Sequence, residues 1–229
     1  MDQNLQDIAD KIIKYLDQKK VQYCDVRADQ QIKKSALIEN DEIEHITDNE
    51  NKGVGVRLIK NGTWSFCSIT NPNSFDEIKN ILDNTIKNSD YRNIDNKKIK
   101  LHSNPVNKRE INFPVLKKPE IEELIKIGFE CNKIISDTPK IIKSITNASH
   151  TVNSKYFTNS EGSEILQNFT DVIMEMVATA HESGQTQSVN ITEGGRGGLE
   201  LITNKIQQSA KEISKKASEL IYAKPVKEE

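Results

Sequence analysis

Aromatic side chains are scarce in this 229-residue sequence, at 5% of its residues, and Trp64 is the one tryptophan. The apolar load falls on isoleucine instead, so the core is expected to be aliphatic. Cysteine is rarer still. Cys24, Cys67 and Cys131 are odd in number and widely separated, which argues against a disulfide framework and fits a cytoplasmic setting. Each sits among apolar neighbours and reads as a small core residue, not a reactive or metal-binding thiol. No apolar run approaches the roughly 18–20 residues that a membrane-crossing helix needs. The start, Met1-Asp-Gln-Asn4, has neither the basic nor the apolar region of a signal peptide. A net charge of −2 provides no global field for nucleic acid or membrane. The short cluster Lys97-Lys98-x-Lys100 lacks interleaved aromatics and does not change that.

What remains is strongly patterned. The hub is Gly53-Val-Gly-Val-Arg57 followed by Asn61-Gly-Thr-Trp64-Ser-Phe66. Lys60-Asn61-Gly62 is a hairpin turn, because Asn and Gly both tolerate the positive φ of a type I′ turn. Val54, Val56 and Leu58 alternate as one buried face, and Trp64 and Phe66 are expected to continue that face, with Trp64 as a core anchor. Before the hub, Leu5, Ile8, Ile12, Ile13 and Leu16 define an amphipathic helix over residues 3–19. A strand from Tyr23 follows, with Cys24, Val26 and Ala28 on one side, running to about Leu37. Asn40-Asp41 is a turn, 42–46 a second strand, and 48–51 a polar turn. Ser74-Phe-Asp-Glu77 is a capping box that opens a helix through Ile78, Leu82 and Ile86.

Residues 89–118, rich in Asn and Lys, read as a linker with some extended structure. Helix, strands and helix then recur. Pro119 suits the first position of a helix reaching about Asp137. Residues 141–152 are strand-like, Asn153-Ser154 a turn, and 156–158 a short strand into Asn159-Ser-Glu-Gly162. Residues 163–180 form a long strand with Val172, Met174, Met176 and Ala178 on one face. Ser183-Gly184 turns it into a strand over 187–192. Gly194-Gly-Arg-Gly-Gly198 is expected as a flexible loop, and Ile206 to Leu220 as a last amphipathic helix stopped near Lys224-Pro225. The fold class is α+β: antiparallel sheets with flanking helices, a helix–strands–helix arrangement repeated twice. The domain reading is 1–90 for the first unit, 91–118 for the linker and 119–229 for the second unit.

Candidate chemistry is sparse. His181-Glu182 lacks the second histidine of a zincin His-Glu-x-x-His helix. His45, His102 and His150 have no patterned partners. The glycine run at 194–198 lacks the Gly-Lys-Ser/Thr ending of a phosphate loop. No Ser-His-Asp or Cys-His set is visible. The candidate substrate-binding residues are Arg57 and Arg196. Arg196, among glycines, is placed to reach a ligand carboxylate. Arg57 faces away from the valines, and its bland reading is an ion pair with Asp25, Asp29 or Glu44 across the sheet. No catalytic residue, metal ligand or cofactor is assigned to the chain.

Five pieces carry a family resemblance by their order and spacing: Asp25-Val-Arg27, Gly53-Val-Gly-Val-Arg57, Gly62-Thr-Trp64-Ser-Phe66, Phe157-Thr-Asn-Ser-Glu-Gly162, and Arg196-Gly-Gly198 with Glu200. They resemble the N-terminal region of the TldD/PmbA proteins, once called modulators of DNA gyrase and regarded as zinc metallopeptidases. The aromatic Gly-x-Trp-x-Phe piece looks closer to the TldD branch. The resemblance implies homo- or hetero-dimers with a TldD/PmbA-type subunit, enclosing a chamber, and peptides or unfolded segments as substrates. It also implies a C-terminal domain whose His-Glu-x-x-x-His motif binds zinc. That motif is absent from these 229 residues, so no catalytic or metal residue carries over. The expectation is an assembly and substrate-handling region, from a truncated gene or a split subunit. A stand-alone, non-catalytic protein-interaction module is the alternative, and a DNA-topology modulator would require a basic face.

Overall fold

A computed structural model describes residues 3–91, 99, 101–102, 105–203 and 205–223. The element order is α1 Gln3–Gln18, β1 Tyr23–Glu39, β2 Glu42–Lys60, β3 Thr63–Thr70, α2 Phe75–Tyr91, β4 Lys108–Asn112, α3 Ile121–Ser136, β5 Ile141–Asn159, β6 Glu164–Glu182, β7 Gln185–Arg196, a 3₁₀ turn Leu199–Leu201, and α4 Ile206–Leu220. The α+β class holds, with helices beside a largely antiparallel sheet. Lys224 and Pro225, read as the stop of the last helix, lie outside the described residues.

The chain forms two compact units that interleave along the sequence: 1–32, 50–113 and 153–168 make unit 1, and 33–49, 114–152 and 169–229 make unit 2. In unit 1 the strand order is β3-β2-β1-β5-β6-β4. Leu5, Ile8, Ile12 and Leu16 of α1 and Ile78 and Leu82 of α2 are buried against Cys24, Val26, Ala28, Val54, Val56 and Leu58. Each fully buried aliphatic side chain contributes about 1.5–3 kcal/mol relative to exposure. Tyr156 joins this core and donates its hydroxyl to Asp10 at 2.9 Å. Glu77 reaches back to the Asn73 amide at 3.4 Å at the start of α2.

The hairpin at Asn61-Gly62 forms with φ of 53° and 75°, but the side-chain parity beyond it is the reverse of the expected one. The two-residue turn pairs Lys60 with Thr63, which sets Leu58 opposite Ser65, Val56 opposite Cys67 and Val54 opposite Ile69. Residues opposite each other share a face. Ser65, Cys67 and Ile69 therefore complete the inner face, while Trp64 and Phe66 turn outward beside Arg57. Trp64 is half-buried and Phe66 is 64% exposed, so Trp64 does not anchor the core.

Three expected breaks in strands do not exist. Residues 48–51 continue β2, held by cross-strand pairs from β1: Lys34 to Asp48 at 3.1 Å and Gln30 to Glu50 at 2.6 Å. Asn153 and Ser154 continue β5, because partners satisfy them: Gln31 donates to Asn153 at 3.2 Å and Ser154 donates to Asn168 at 2.8 Å. Gly194 to Arg196 are the end of β7, not a loop. β4 pairs in parallel with Glu164–Asn168 of β6.

Unit 2 buries α3 and α4 with β6 and β7. Val172, Met174, Met176 and Ala178 face its core, as their alternation predicts. Pro119 stands just before the N-cap residue Glu120, two positions ahead of the first helical residue Ile121 where it was expected. Gly128 lets α3 lie close to Ile38, where a Cβ would come within 2.9 Å of the Ile38 side chain. The buried Asn132 is a polar hub: its carbonyl accepts from the Asp41 amide at 2.9 Å and the Ser144 hydroxyl at 2.9 Å, and its amide donates to the Ile38 carbonyl at 3.2 Å. β6 is paired with β7 over Asp171–Glu182 and with β4 over Glu164–Asn168.

Candidate functional site

In unit 1, alternation puts odd-numbered residues of β1 on the sheet face opposite α1 and α2. Asp25 is 1% exposed there, and Arg57 of β2 covers it. The Arg57 Nε donates to both Asp25 carboxylate oxygens at 3.1 and 3.0 Å, and Nη2 donates to Oδ2 at 2.7 Å. The same guanidinium lies 5.4 Å from the centre of the Trp64 ring, and Tyr23 meets Trp64 edge-on at 5.9 Å. The hydrogen bonds to Asp25 raise the Arg57 pKa above its ordinary value. Of the three carboxylates offered by the sequence, Asp25 is the partner. Arg57 is therefore engaged in a bidentate pair, and only its 41% exposed remainder is available to a ligand.

Two further groups flank this pair. Phe66 lies over the bare backbone of Gly55, 3.6 Å from where a Cβ would stand. The Arg27 guanidinium lies over the Phe157 ring, 5.5 Å from its centre, and comes no closer than 3.9 Å to Asp25. Arg27, Asp29, Lys155, Phe157, Ile165 and Gln167 line a groove of ≈ 320 Å³. Arg27 appears in the sequence only as part of a motif. Its place in a groove depends on strand pairing between segments more than a hundred residues apart, which periodicity cannot reveal.

Arg196 belongs to unit 2. Its guanidinium sits 3.9 Å from the Phe169 ring, and Nε reaches Asp171 at 3.4 Å. The glycines beside it are structural. At Gly194, φ is 125° and a Cβ would lie 2.0 Å from the Val172 carbonyl oxygen; at Gly198 it would lie 2.0 Å from the Lys117 carbonyl oxygen. Glu200 closes this corner by accepting from the Gly198 amide at 2.7 Å and the Lys117 amide at 2.9 Å. Desolvation opposes its charge, but those backbone donors outweigh it and lower its pKa. Arg-Gly-Gly-x-Glu is thus a backbone lock in unit 2. Sequence reasoning placed Glu200 in a motif without its role; the adjacent Gly-Gly was the available signal.

Among the described residues no three His, Cys, Asp or Glu side chains converge as metal ligands would. His181 is exposed at the β6–β7 turn, with Nδ1 2.9 Å from the Thr186 hydroxyl. His150 is buried, and its Nδ1 has no hydrogen-bond partner. A protein zinc site requires three or four convergent ligands, and the residues present do not fit that demand. No helix of the described residues is long and apolar enough to cross a membrane.

Two family models match in succession: PmbA/TldA metallopeptidase domain 1 over residues 24–89, and the PmbA/TldA metallopeptidase central domain over residues 114–222. The chain belongs to the PmbA/TldD metallopeptidase family. Among similar proteins, a metalloprotease of Methanothermobacter thermautotrophicus is 22% identical over 215 residues, covering 90% of this chain and 45% of that protein. A metalloprotease of Methanocaldococcus jannaschii is 28% identical over 219 residues, covering 89% of this chain and 45% of that protein. The chain spans about half the length of the curated relatives it matches. Solved structures share the fold. A protein named as a candidate modulator of a DNA gyrase from Thermotoga maritima aligns with a TM-score of 0.74 at 13% identity, covering 97% of this chain and 50% of that one. TldE from Thermococcus kodakarensis aligns with a TM-score of 0.72 at 16% identity, covering 92% and 47%.

Proposed function

We propose that this chain is the N-terminal assembly and substrate-handling region of a PmbA/TldD-type metallopeptidase that hydrolyses peptides or unfolded segments. The observation that carries the reading is the pair of consecutive family domains, together with metalloprotease relatives about twice as long. The zinc centre is supplied by a polypeptide segment outside these residues, and the working unit is a homo- or hetero-dimer in the cytoplasm. Arg57 contributes to substrate handling from the Trp64 and Phe66 side of unit 1, and Arg196 contributes from unit 2.

β6 has neighbours on both sides, so it offers no free edge to which an extended peptide could add as a further strand. Substrate handling is therefore assigned to side chains, Arg57 in unit 1 and Arg196 in unit 2, and not to a strand edge.

The test is peptidase activity with added zinc. It is measured on this chain alone and on this chain mixed with a polypeptide that carries the family's zinc motif. Activity in the mixture alone is the expected result. Activity in neither sample sinks the reading and favours a non-catalytic interaction module. Activity of the chain alone overturns the assignment of the metal centre to another segment.

A further inference from the structure

We propose that the unit 1 groove beside Arg27 is a binding site for the C-terminal residue of a peptide, taking its carboxylate at Arg27 and its apolar side chain against Phe157 and Ile165. This inference gives a chemical class to the substrate handling proposed above. It rests on that reading for the fate of the peptide, but the binding event is independent of it.

The first ground is an arginine with unused donors. Arg57 already holds Asp25 through hydrogen bonds of 2.7–3.1 Å. Arg27 stands 3.9 Å from the same carboxylate, beyond hydrogen-bond distance. Its side chain is 54% exposed, and it makes no side-chain hydrogen bond among the described residues. Its guanidinium carbon lies over the Phe157 ring, 5.5 Å from the ring centre, a cation–π contact that holds the charge beside the groove. A guanidinium presents paired donors in the fork that matches a carboxylate.

The second ground is charge. Lys155 and Asp29 also line the groove, 3.8 Å apart, and largely offset each other. Arg27 is left as the excess cation, so an anionic ligand complements the groove.

The third ground is the placing of apolar surface. Phe157 of β5 and Ile165 of β6 line the same ≈ 320 Å³ groove as Arg27, with the Gln167 amide beside them. In a C-terminal residue the carboxylate and the side chain leave one Cα, so both enter one small groove. In an internal acidic residue the carboxylate is the side chain itself, and the next side chain of an extended peptide points to the opposite face. A terminal residue therefore fits the groove better than an internal Asp or Glu.

The experiment uses the full chain and a fluorescein-labelled hexapeptide, uncharged in its side chains, ending in leucine. Fluorescence anisotropy compares the free acid, the C-terminal amide, and an amide carrying one internal glutamate. The free acid is expected to bind at least about ten-fold more tightly than either amide, since a charge-assisted bidentate contact is lost in both. Arg27→Gln is expected to erase that difference, and Arg27→Lys to retain only part of it. Arg27 is exposed, so both variants should fold, and a circular-dichroism melt checks this. Equal affinity for acid and amide, no binding of any peptide, or an Arg27→Gln chain that still prefers the acid would each overturn the proposal. Equal binding of the internal-glutamate amide would overturn the terminal assignment. These results concern peptide capture by this chain, whereas failure of the zinc-dependent activity test concerns the peptidase reading.

Discussion

Arg57 closes over Asp25 with two nitrogens on one buried carboxylate, the shorter contact being 2.7 Å. The pair sits on a sheet face that carries Trp64, Phe66 and Arg27, and it holds two neighbouring strands of unit 1 in register. Its first duty is structural. A carboxylate that is 1% exposed needs a fixed cation.

Removing that cation should therefore cost stability. Arg57→Met strands the Asp25 charge and is expected to lower the unfolding free energy by roughly 3 kcal/mol. Adding Asp25→Asn to it should recover part of the loss, because the uncompensated charge is gone. Urea unfolding of the two single variants and the double variant measures both effects. A loss under about 1 kcal/mol would mean that Asp25 does not depend on Arg57.

The glycine corner of unit 2 should be as intolerant as its geometry. Gly194→Ala and Gly198→Ala each drive a Cβ to 2.0 Å from a carbonyl oxygen. Each is expected to cost about 2 kcal/mol or more, by strain and by loss of the β6–β7 pairing or the Lys117 contact. Gly184→Ala is the comparison, since nothing lies within 4 Å of its Cβ although its φ is 81°; it should cost only about 1 kcal/mol. Thermal melts rank the three.

The thiols should be inert in the fold. Burial pushes Cys24 and Cys131 up to about 12, from 9.0. Iodoacetamide at pH 8 is expected to leave both unmodified in native protein and to label both in urea. Burial, with the hydrogen bond to Asp10, also pushes Tyr156 up to about 12, from 10.0. These raised values contribute stability that is complete below the unfolded pKa values and lost as pH rises towards 12. Alkaline melts should fall from about pH 9 upward.

His150 contributes on the acid side. It is 7% exposed and its Nδ1 is unpartnered. Burial lowers its pKa below 6.5, Lys34 and Lys118 acting in the same direction and Glu120 and Asp48 opposing. A depressed value contributes stability that is present above pH 6.5 and lost as pH falls through the folded value. Replacing His150 with Phe should flatten the stability profile over that window. An unchanged slope between pH 7 and 5 would assign the acid sensitivity to other groups.

Local order was legible in the sequence wherever one rule governed it. The 3.6-residue spacing of Leu5, Ile8, Ile12 and Leu16 fixed α1, and Asn61-Gly62 and Ser183-Gly184 marked turns because their backbones need positive φ. The alternation of Val172, Met174, Met176 and Ala178 gave their buried face. The family was legible too, through the order of five short motifs. Composition misled at 48–51 and at Asn153-Ser154. Polar residues suggest turns there, yet cross-strand partners hold them extended. The parity of Trp64 followed from the two-residue turn, a rule available in the sequence but outweighed by the pull of burying a tryptophan.

Tertiary structure decided the rest, because it depends on which distant strands become neighbours. The choice of Asp25 for Arg57, the place of Arg27 over Phe157, and the seat of Glu200 on the Lys117 amide are contacts made across the chain. Periodicity reports which face a residue occupies. Only pairing and register determine what stands beside it on that face.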